Sequence, residues 1–204
     1  MLILARHGRT VVNAAGRLQG RANPPLDATG IAQAQALAAV VPAGAGFVSS
    51  PLRRAQQTAV ILAGGRPVEA DDRWVELDYG EWDGLPLDGV PAEEWARWRS
   101  DPSYRPPNGE TLEECGLRVR AACSELSDRV RTEDVVVVSH VSPIKAAVAW
   151  ALGVGDETSW RMFLGVASVC RVAVTGRGAS LRSFNELGHL ESLSPSLSGQ
   201  DSLR

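Results

Sequence analysis

The sequence has no long hydrophobic run. Uninterrupted apolar stretches such as residues 1–5 and 135–138 are far shorter than the roughly 18–20 residues that span a bilayer. No basic region precedes residues 1–5, which run directly into Arg6 and His7, so the pattern of a secretory signal peptide is missing. These absences predict a soluble, cytoplasmic protein with no membrane partner.

Cysteine is scarce, and basic residues are not in excess. The three cysteines (Cys115, Cys123 and Cys170) are an odd number without a CxxC pair, which argues against a disulfide framework or a zinc site. Lys and Arg total 21 against 24 Asp and Glu, a formal net charge of −3. Proteins that bind nucleic acid usually carry a basic excess or stripe, so we expect no nucleic-acid partner.

The composition is otherwise that of an ordinary globular protein. Of the 204 residues, 44% are hydrophobic and 22% are charged, which provides for a packed core and excludes wholesale disorder. The length suits one α/β domain or at most two small ones. Because the end of the chain is rich in serine and poor in apolar residues, we predict one domain over residues 1–190 and a flexible Ser-rich tail over 191–204.

Apolar runs alternate with segments of helical periodicity. This alternation predicts a single-domain, three-layer α/β/α sandwich with a mostly parallel central sheet. Asp27 is the predicted cap of the first long helix, and the pairs Ser50-Pro51 and Ser142-Pro143 are predicted to open two others. The predicted strands cover residues 2–5, 47–49, 67–69, 135–138, 166–174 and 181–184, and the predicted long helices cover residues 28–41, 51–62, 110–131 and 143–152.

Polar side chains follow three of the predicted strands. They lie in residues 6–10, in residues 50–54 and at Ser139-His140. Open α/β sheets bind ligands beyond the carboxyl ends of their strands, so these residues are expected to converge on one crevice. Guanidinium groups bind phosphate oxygens through two parallel hydrogen bonds, and a histidine among them can act as a phosphate-binding cation or as a nucleophile.

The segment Arg6-His7-Gly8-Arg9-Thr10 resembles the Arg-His-Gly signature of the histidine phosphatase superfamily, also called phosphoglycerate mutase-like. An Arg-His-Gly tripeptide alone is weak evidence, but further elements match in the same order as far as about residue 190. The chain is therefore similar to the short, phosphatase-type members of that family. The matching elements are Asn13, residues 49–59, residues 76–84, residues 108–111 and Ser139-His140.

The resemblance implies a role for each site residue. His7 is the nucleophile and forms a phosphohistidine, while Glu76 protonates the leaving oxygen and then takes a proton from the attacking water. The transferring group is surrounded by three cationic side chains, which replace a metal ion, so neither a metal nor a cofactor is implied. Spacing leaves Arg53 and Arg54 as alternatives, and the family pattern selects Arg54. The residues expected to bind the phosphate are Arg6, Asn13, Arg54 and His140.

Three further positions carry expectations. Val141 follows the second histidine, where most relatives have glycine, and its side chain either narrows the pocket or turns into the core. Lys145 resembles the family's usual basic residue one helical turn on. Trp95 and Trp98, at i and i+3, are predicted to pack one helix face on the core rather than to form a substrate platform.

Together these features predict a metal-independent phosphomonoesterase of the histidine acid phosphatase type, acting on a small phosphorylated metabolite. The alternatives are a phosphoglycerate mutase and a non-catalytic module that recognises phosphate. A mutase must keep water from its phosphohistidine. Residues 85–108, which contain five prolines, are too short and too broken to seal the pocket, and this favours hydrolysis. The identity of the metabolite stays open.

Overall fold

The computed structural model describes residues 1–193, whose strands form one six-stranded sheet in the order β3-β2-β4-β1-β5-β6. β1, β2, β3 and β4 are parallel, and β5 and β6 form an antiparallel pair at one edge. The prediction of a mostly parallel sheet is confirmed. The strands are β1 (Leu2–Arg6), β2 (Gly46–Ser49), β3 (Glu69–Ala70), β4 (Val135–Ser139), β5 (Val169–Thr175) and β6 (Gly178–Glu186).

Helices cover both faces of the sheet and complete the predicted three layers. Because successive side chains of a strand point to opposite faces, Leu2 and Leu4 join the core with α4, α5 and α6, whereas Ile3 and Ala5 join the core with α2 and α3. No helix within residues 1–193 is long and apolar enough to cross a membrane. The helices are α1 (Val11–Ala14), α2 (Ala28–Ala38), α3 (Arg53–Ala63), α4 (Ala92–Ser100), α5 (Leu112–Thr132) and α6 (Val141–Leu152).

Three predicted helix starts are wrong, and one of them is that of α5, which begins at Leu112 with Thr111 as its N-cap rather than at residue 110. α3 begins at Arg53, not at Pro51, and the side chain of Asn23 accepts a hydrogen bond from the Arg53 N–H. α6 begins directly after β4 with His140 as its N-cap, instead of at the predicted Ser142. Pro143 is compatible with this start because the N–H groups of the first helical turn have no intrahelical acceptor.

The predicted start of α2 is confirmed, but its predicted end and apolar face are not. The Asp27 side chain caps the helix by accepting a hydrogen bond from the Gly30 N–H. The helix ends at Ala38 rather than at residue 41, and Ile31 is exposed. The predicted tail lies outside the described residues from position 194 onwards, so it remains a prediction.

A close contact between two glycines holds the segment after β1 against α2. A Cβ atom on Gly8 would lie 2.3 Å from the carbonyl oxygen of Gly30, and one on Gly30 would lie 2.1 Å from that of Arg9. No larger side chain fits either place unless the backbone moves. The Arg9 side chain also pairs with Asp27, so the residues that follow β1 have a defined position.

Candidate active site

Parallel pairing of β1 with β4 brings two histidines together at the carboxyl edge of the sheet. Arg6 and Ser139 are paired in register at the ends of these strands, so His7 directly follows β1 and His140 directly follows β4. Their ring centroids are 5.0 Å apart. The predicted convergence of these two histidines is therefore present in the structure.

Hydrogen bonds define the protonation of His7. Its Nδ1 lies 2.7 Å from the carbonyl oxygen of Gly8, which only accepts hydrogen bonds, so Nδ1 carries the proton. Its Nε2 accepts a hydrogen bond from Nε of Arg54 at 3.2 Å. Burial, followed by the charges of Arg54 and Arg6, holds the pKa of His7 well below its ordinary value. Nε2 is thus unprotonated at neutral pH, and its lone pair accepts the hydrogen bond from Arg54.

Arg54 is the arginine that reaches His7, and Arg53 is exposed on the surface. Nη1 of Arg54 donates to the carbonyl of Ala22 at 2.7 Å, and Nη2 donates to that of Gly20 at 2.8 Å. These bonds fix the plane of a fully buried guanidinium group. Burial lowers its pKa to about 10, which leaves it charged at neutral pH.

Arg6 and Asn13 line a cavity of about 110 Å³ in front of His7. Nη1 of Arg6 donates to the carbonyl of Leu164 at 2.7 Å, which orients the guanidinium group. The amide oxygen of Asn13 accepts a hydrogen bond from the backbone N–H of Thr10. With its oxygen used in this way, Asn13 has its amide N–H groups for a ligand in the cavity.

His140 lies behind His7 and has no exposed surface. Its Nε2 is 2.7 Å from the hydroxyl of Ser50, and its Nδ1 has no hydrogen-bond partner among the described residues. Burial and the neighbouring Arg54 hold the pKa of His140 well below its ordinary value. The resemblance implies a third cation here, but in this structure the imidazole is neutral and the permanent cations are the two arginines.

Glu76 is buried at the N-terminus of α6. Its carboxylate accepts hydrogen bonds from the backbone N–H groups of Leu77 at 2.8 Å, Val141 at 3.0 Å and Ser142 at 3.1 Å. The observed start of α6 makes this possible, because the first N–H groups of a helix are unpaired within it. Glu76 also lines the cavity in front of His7.

The other carboxylates of the same loop have structural partners. Asp83 accepts hydrogen bonds from the backbone N–H groups of Gly20 and Ala22, next to the carbonyls that hold Arg54. Asp78 accepts a hydrogen bond from Gly80 N–H, and Glu81 accepts one from Asn108. Burial therefore distinguishes Glu76 from its neighbours, which the loop composition alone could not do.

Sequence reasoning assigned no role to several residues of the cavity wall. Tyr79 stands within the recognised loop, but nothing in the sequence marks its ring as facing the site. Gln19 accepts a hydrogen bond from the Thr10 hydroxyl, and its buried amide nitrogen has no partner among the described residues. Val141 is half-buried in the wall, so its side chain narrows the pocket rather than turning into the core.

The two buried histidines predict a loss of stability in acid. An unfolded chain has a histidine pKa near 6.5, whereas His7 and His140 have lowered values in the fold. Between the folded-state pKa and the unfolded-state pKa, the unfolded state binds more protons. The contribution of the two neutral histidines to the free energy of unfolding is therefore complete above about pH 6.5 and is lost as the pH falls below it. We expect the free energy of unfolding, measured with urea, to fall less between about pH 7.5 and about pH 5.5 for His140→Gln than for the wild type. An equal loss in both proteins would contradict a buried neutral His140.

A histidine lone pair beside two buried arginines, at the carboxyl edge of a parallel sheet, defines an α/β protein with a phosphate-handling site. Comparison with known families agrees. The profile described as "Histidine phosphatase superfamily (branch 1)" matches residues 2–187, and the chain belongs to this family.

Individual relatives match over most of the chain. A bifunctional protein of Mycobacterium tuberculosis is 36% identical over 198 residues, which cover 93% of this chain and 54% of the relative. The chain thus spans about half the length of that curated relative. Phosphoserine phosphatase 1 of Hydrogenobacter thermophilus is 32% identical, covering 93% of each chain. A phosphoserine phosphatase mutant of Entamoeba histolytica, solved with phosphoserine, superimposes with a TM-score of 0.86 at 26% identity, covering 93% of this chain and 98% of that one.

Proposed function

We propose that the protein is a phosphomonoesterase of the histidine acid phosphatase type, which hydrolyses a small phosphorylated metabolite through a phosphohistidine without a metal ion. The observation that carries this proposal is the unprotonated Nε2 of His7, beside the fixed guanidinium group of Arg54. Relatives named as phosphoserine phosphatases support the hydrolysis of a phosphate monoester.

In the first step, Nε2 of His7 attacks phosphorus and forms the N–P bond while the bond to the leaving oxygen breaks. Arg6 and Arg54 balance the charge on the equatorial oxygens, and the amide group of Asn13 donates a further hydrogen bond. Glu76 enters this step as the carboxylic acid, gives its proton to the leaving oxygen and is left as the carboxylate. His140 is neutral before the substrate binds, and a phosphate dianion beside it favours its protonation, which adds the third cation.

In the second step, water attacks the phosphohistidine. Glu76 takes a proton from the water, the N–P bond breaks, and inorganic phosphate leaves with His7 restored. The step needs water at the phosphoryl group. Of the segment between residues 85 and 108, only Leu87 lines the cavity in front of His7. Because this segment covers so little of the cavity, water can reach the phosphoryl group, which favours hydrolysis over phosphoryl transfer within a sealed mutase pocket.

The proposal is tested by offering the protein 3-phosphoglycerate with a catalytic amount of 2,3-bisphosphoglycerate, and by measuring 2-phosphoglycerate and free phosphate together. We expect phosphate release to dominate. Isomerisation much faster than phosphate release would establish the mutase instead. A parallel assay with p-nitrophenyl phosphate in EDTA separates an enzyme from a binding module, because a module retains phosphate binding and releases no nitrophenolate.

The role of Glu76 predicts a dependence on the leaving group. Glu76→Gln removes the proton, and general acid catalysis typically contributes about 10²–10⁴-fold. The loss should be large for an alkyl phosphate and smaller for p-nitrophenyl phosphate, whose leaving group needs little protonation. The amide also has a single acceptor oxygen for the N–H groups that the carboxylate accepts, so part of the loss is common to both substrates.

The activity lost with the alkyl phosphate, divided by the activity lost with p-nitrophenyl phosphate, therefore measures acid catalysis separately from the hydrogen bonds lost at the start of α6. Glu81→Gln is the matched control, since Glu81 lies in the same loop and is exposed. We expect it to retain both activities. Equal losses for both substrates in Glu76→Gln would assign the proton to a different group.

A further inference from the structure

A second, larger cavity adjoins the one in front of His7. It has a volume of about 390 Å³, compared with about 110 Å³ on the phosphate side. The two cavities share part of their walls, formed by Leu18, Tyr79, Val141, Phe163 and Leu164. A phosphate held against His7 would therefore lie next to this larger space, which we call the side chamber.

The wall of the side chamber is aromatic. Trp95, Trp98 and Trp160 belong to it, and the rings of Trp98 and Trp160 pack edge to face with centroids 4.0 Å apart. Phe163 is 46% exposed at the border of the two cavities. Trp98 is buried in the core, as the sequence predicts. Its side chain is also part of the chamber wall.

The polar groups of the chamber are hydrogen-bond donors. Nε1 of Trp98, Nε1 of Trp160 and the hydroxyl of Ser159 are buried, with no hydrogen-bond partner among the described residues. Buried donors are normally paired, so these three atoms are unsatisfied polar groups behind the surface of the chamber wall. Arg99 and Arg161 also line the chamber, and its lining contains no carboxylate.

Lys145 adds a cation to the same wall and is the single lysine of the sequence. Its position is one helical turn after Val141, on the same face of α6. No hydrogen bond or ion pair joins its ammonium group to any residue in the range 1–193. Burial lowers its pKa to about 8, so much of it is charged at neutral pH.

We infer that the side chamber holds the alcohol part of the substrate, and that this part carries a flat heteroaromatic ring with acceptor atoms, as in a nucleoside monophosphate. The inference rests on the proposed phosphatase function. Ligand pockets are typically about 300–1,000 Å³, mostly apolar, with a few placed polar groups. The aromatic wall buries the ring, while the cations Lys145, Arg99 and Arg161 pair with its acceptor atoms. A small polar alcohol, such as serine or glycerate, can pair its carboxylate with these cations but has no ring to place against the aromatic wall.

The test compares AMP with ribose 5-phosphate, which lacks the adenine ring. We expect kcat/KM to be at least about tenfold higher for AMP. Phe163→Ala and Lys145→Met should each lower this preference, and Leu117→Ala should not change it. Leu117 is the matched control because it is 68% exposed on α5 and lies outside both cavity linings. Equal kcat/KM for AMP and ribose 5-phosphate in the wild type would overturn the inference.

A binding measurement separates this inference from the function on which it rests. In His7→Ala, AMP should quench the tryptophan fluorescence because it contacts the indoles of the chamber, and ribose 5-phosphate should not. If AMP, ribose 5-phosphate and p-nitrophenyl phosphate all release no phosphate, the proposed function fails. The fluorescence measurement then still shows whether the side chamber holds the ring. If AMP produces no more quenching than ribose 5-phosphate, the chamber does not hold the ring.

Discussion

His7→Ala is expected to abolish phosphate release, with kcat falling by on the order of 10³-fold or more. The reason is that Nε2 of His7 is the unprotonated nitrogen at the wall of the phosphate cavity, and alanine offers no atom that can form a bond to phosphorus. The wild type, quenched during turnover, should carry a phosphoryl label that is stable in base and labile in acid. The variant should carry none.

The fold should survive this substitution, because His7 follows β1 and its ring takes no part in the sheet. Circular dichroism and the urea midpoint check this directly. His189→Gln is the matched control, since His189 lies outside the lining of both cavities and its ring contacts the carbonyl of Ala167. A phosphoryl label that persists in His7→Ala would assign the nucleophile to another residue.

Arg54→Lys is expected to lower kcat/KM at least about tenfold, or about 1.4 kcal/mol, although the charge is kept. The guanidinium group of Arg54 uses two nitrogens to hold the carbonyls of Gly20 and Ala22 and points the third at His7. A lysine ammonium is a single point of charge and cannot reproduce this planar arrangement. Steady-state kinetics with p-nitrophenyl phosphate measure the effect.

The neighbouring arginine provides the comparison. Arg53→Lys makes the same substitution one residue earlier on the same helix, but Arg53 is exposed and does not line the cavity in front of His7. We expect its kinetics to match the wild type. A silent Arg54→Lys together with an impaired Arg53→Lys would reverse the assignment that the structure makes between the two.

Both predictions depend on burial. The groups around His7 are charged or polar, yet His7 is 3% exposed and Arg54 and His140 are 0% exposed. In such a setting, desolvation and two permanent cations disfavour imidazolium, which keeps the nucleophile in its reactive form. The same desolvation strengthens the attraction between the arginines and a phosphate dianion. The proposed activity and the expected acid sensitivity of the fold therefore have one physical origin.

Much of the fold could be predicted from local sequence patterns. The four consecutive valines before Ser139 and the apolar run before Arg6 predict buried parallel strands, and both are central in the sheet. Polar residues directly after these strands must lie at one edge, so the convergence of His7 and His140 follows from topology. Helix starts were less predictable: Ser142-Pro143 has the composition of a cap, but His140 occupies that position.

The sequence by itself determined the fold class, the family resemblance and the set of candidate residues, because these depend on periodicity, on spacing and on the order of motifs. Only the tertiary structure decided which members of that set lie together. Arg54 instead of Arg53, and Glu76 instead of its neighbouring carboxylates, are selected by burial and by hydrogen bonds to distant backbone groups. The side chamber likewise needs α4, α6 and the residues around Trp160 in contact. Such contacts join residues far apart in the chain, and no local pattern records them.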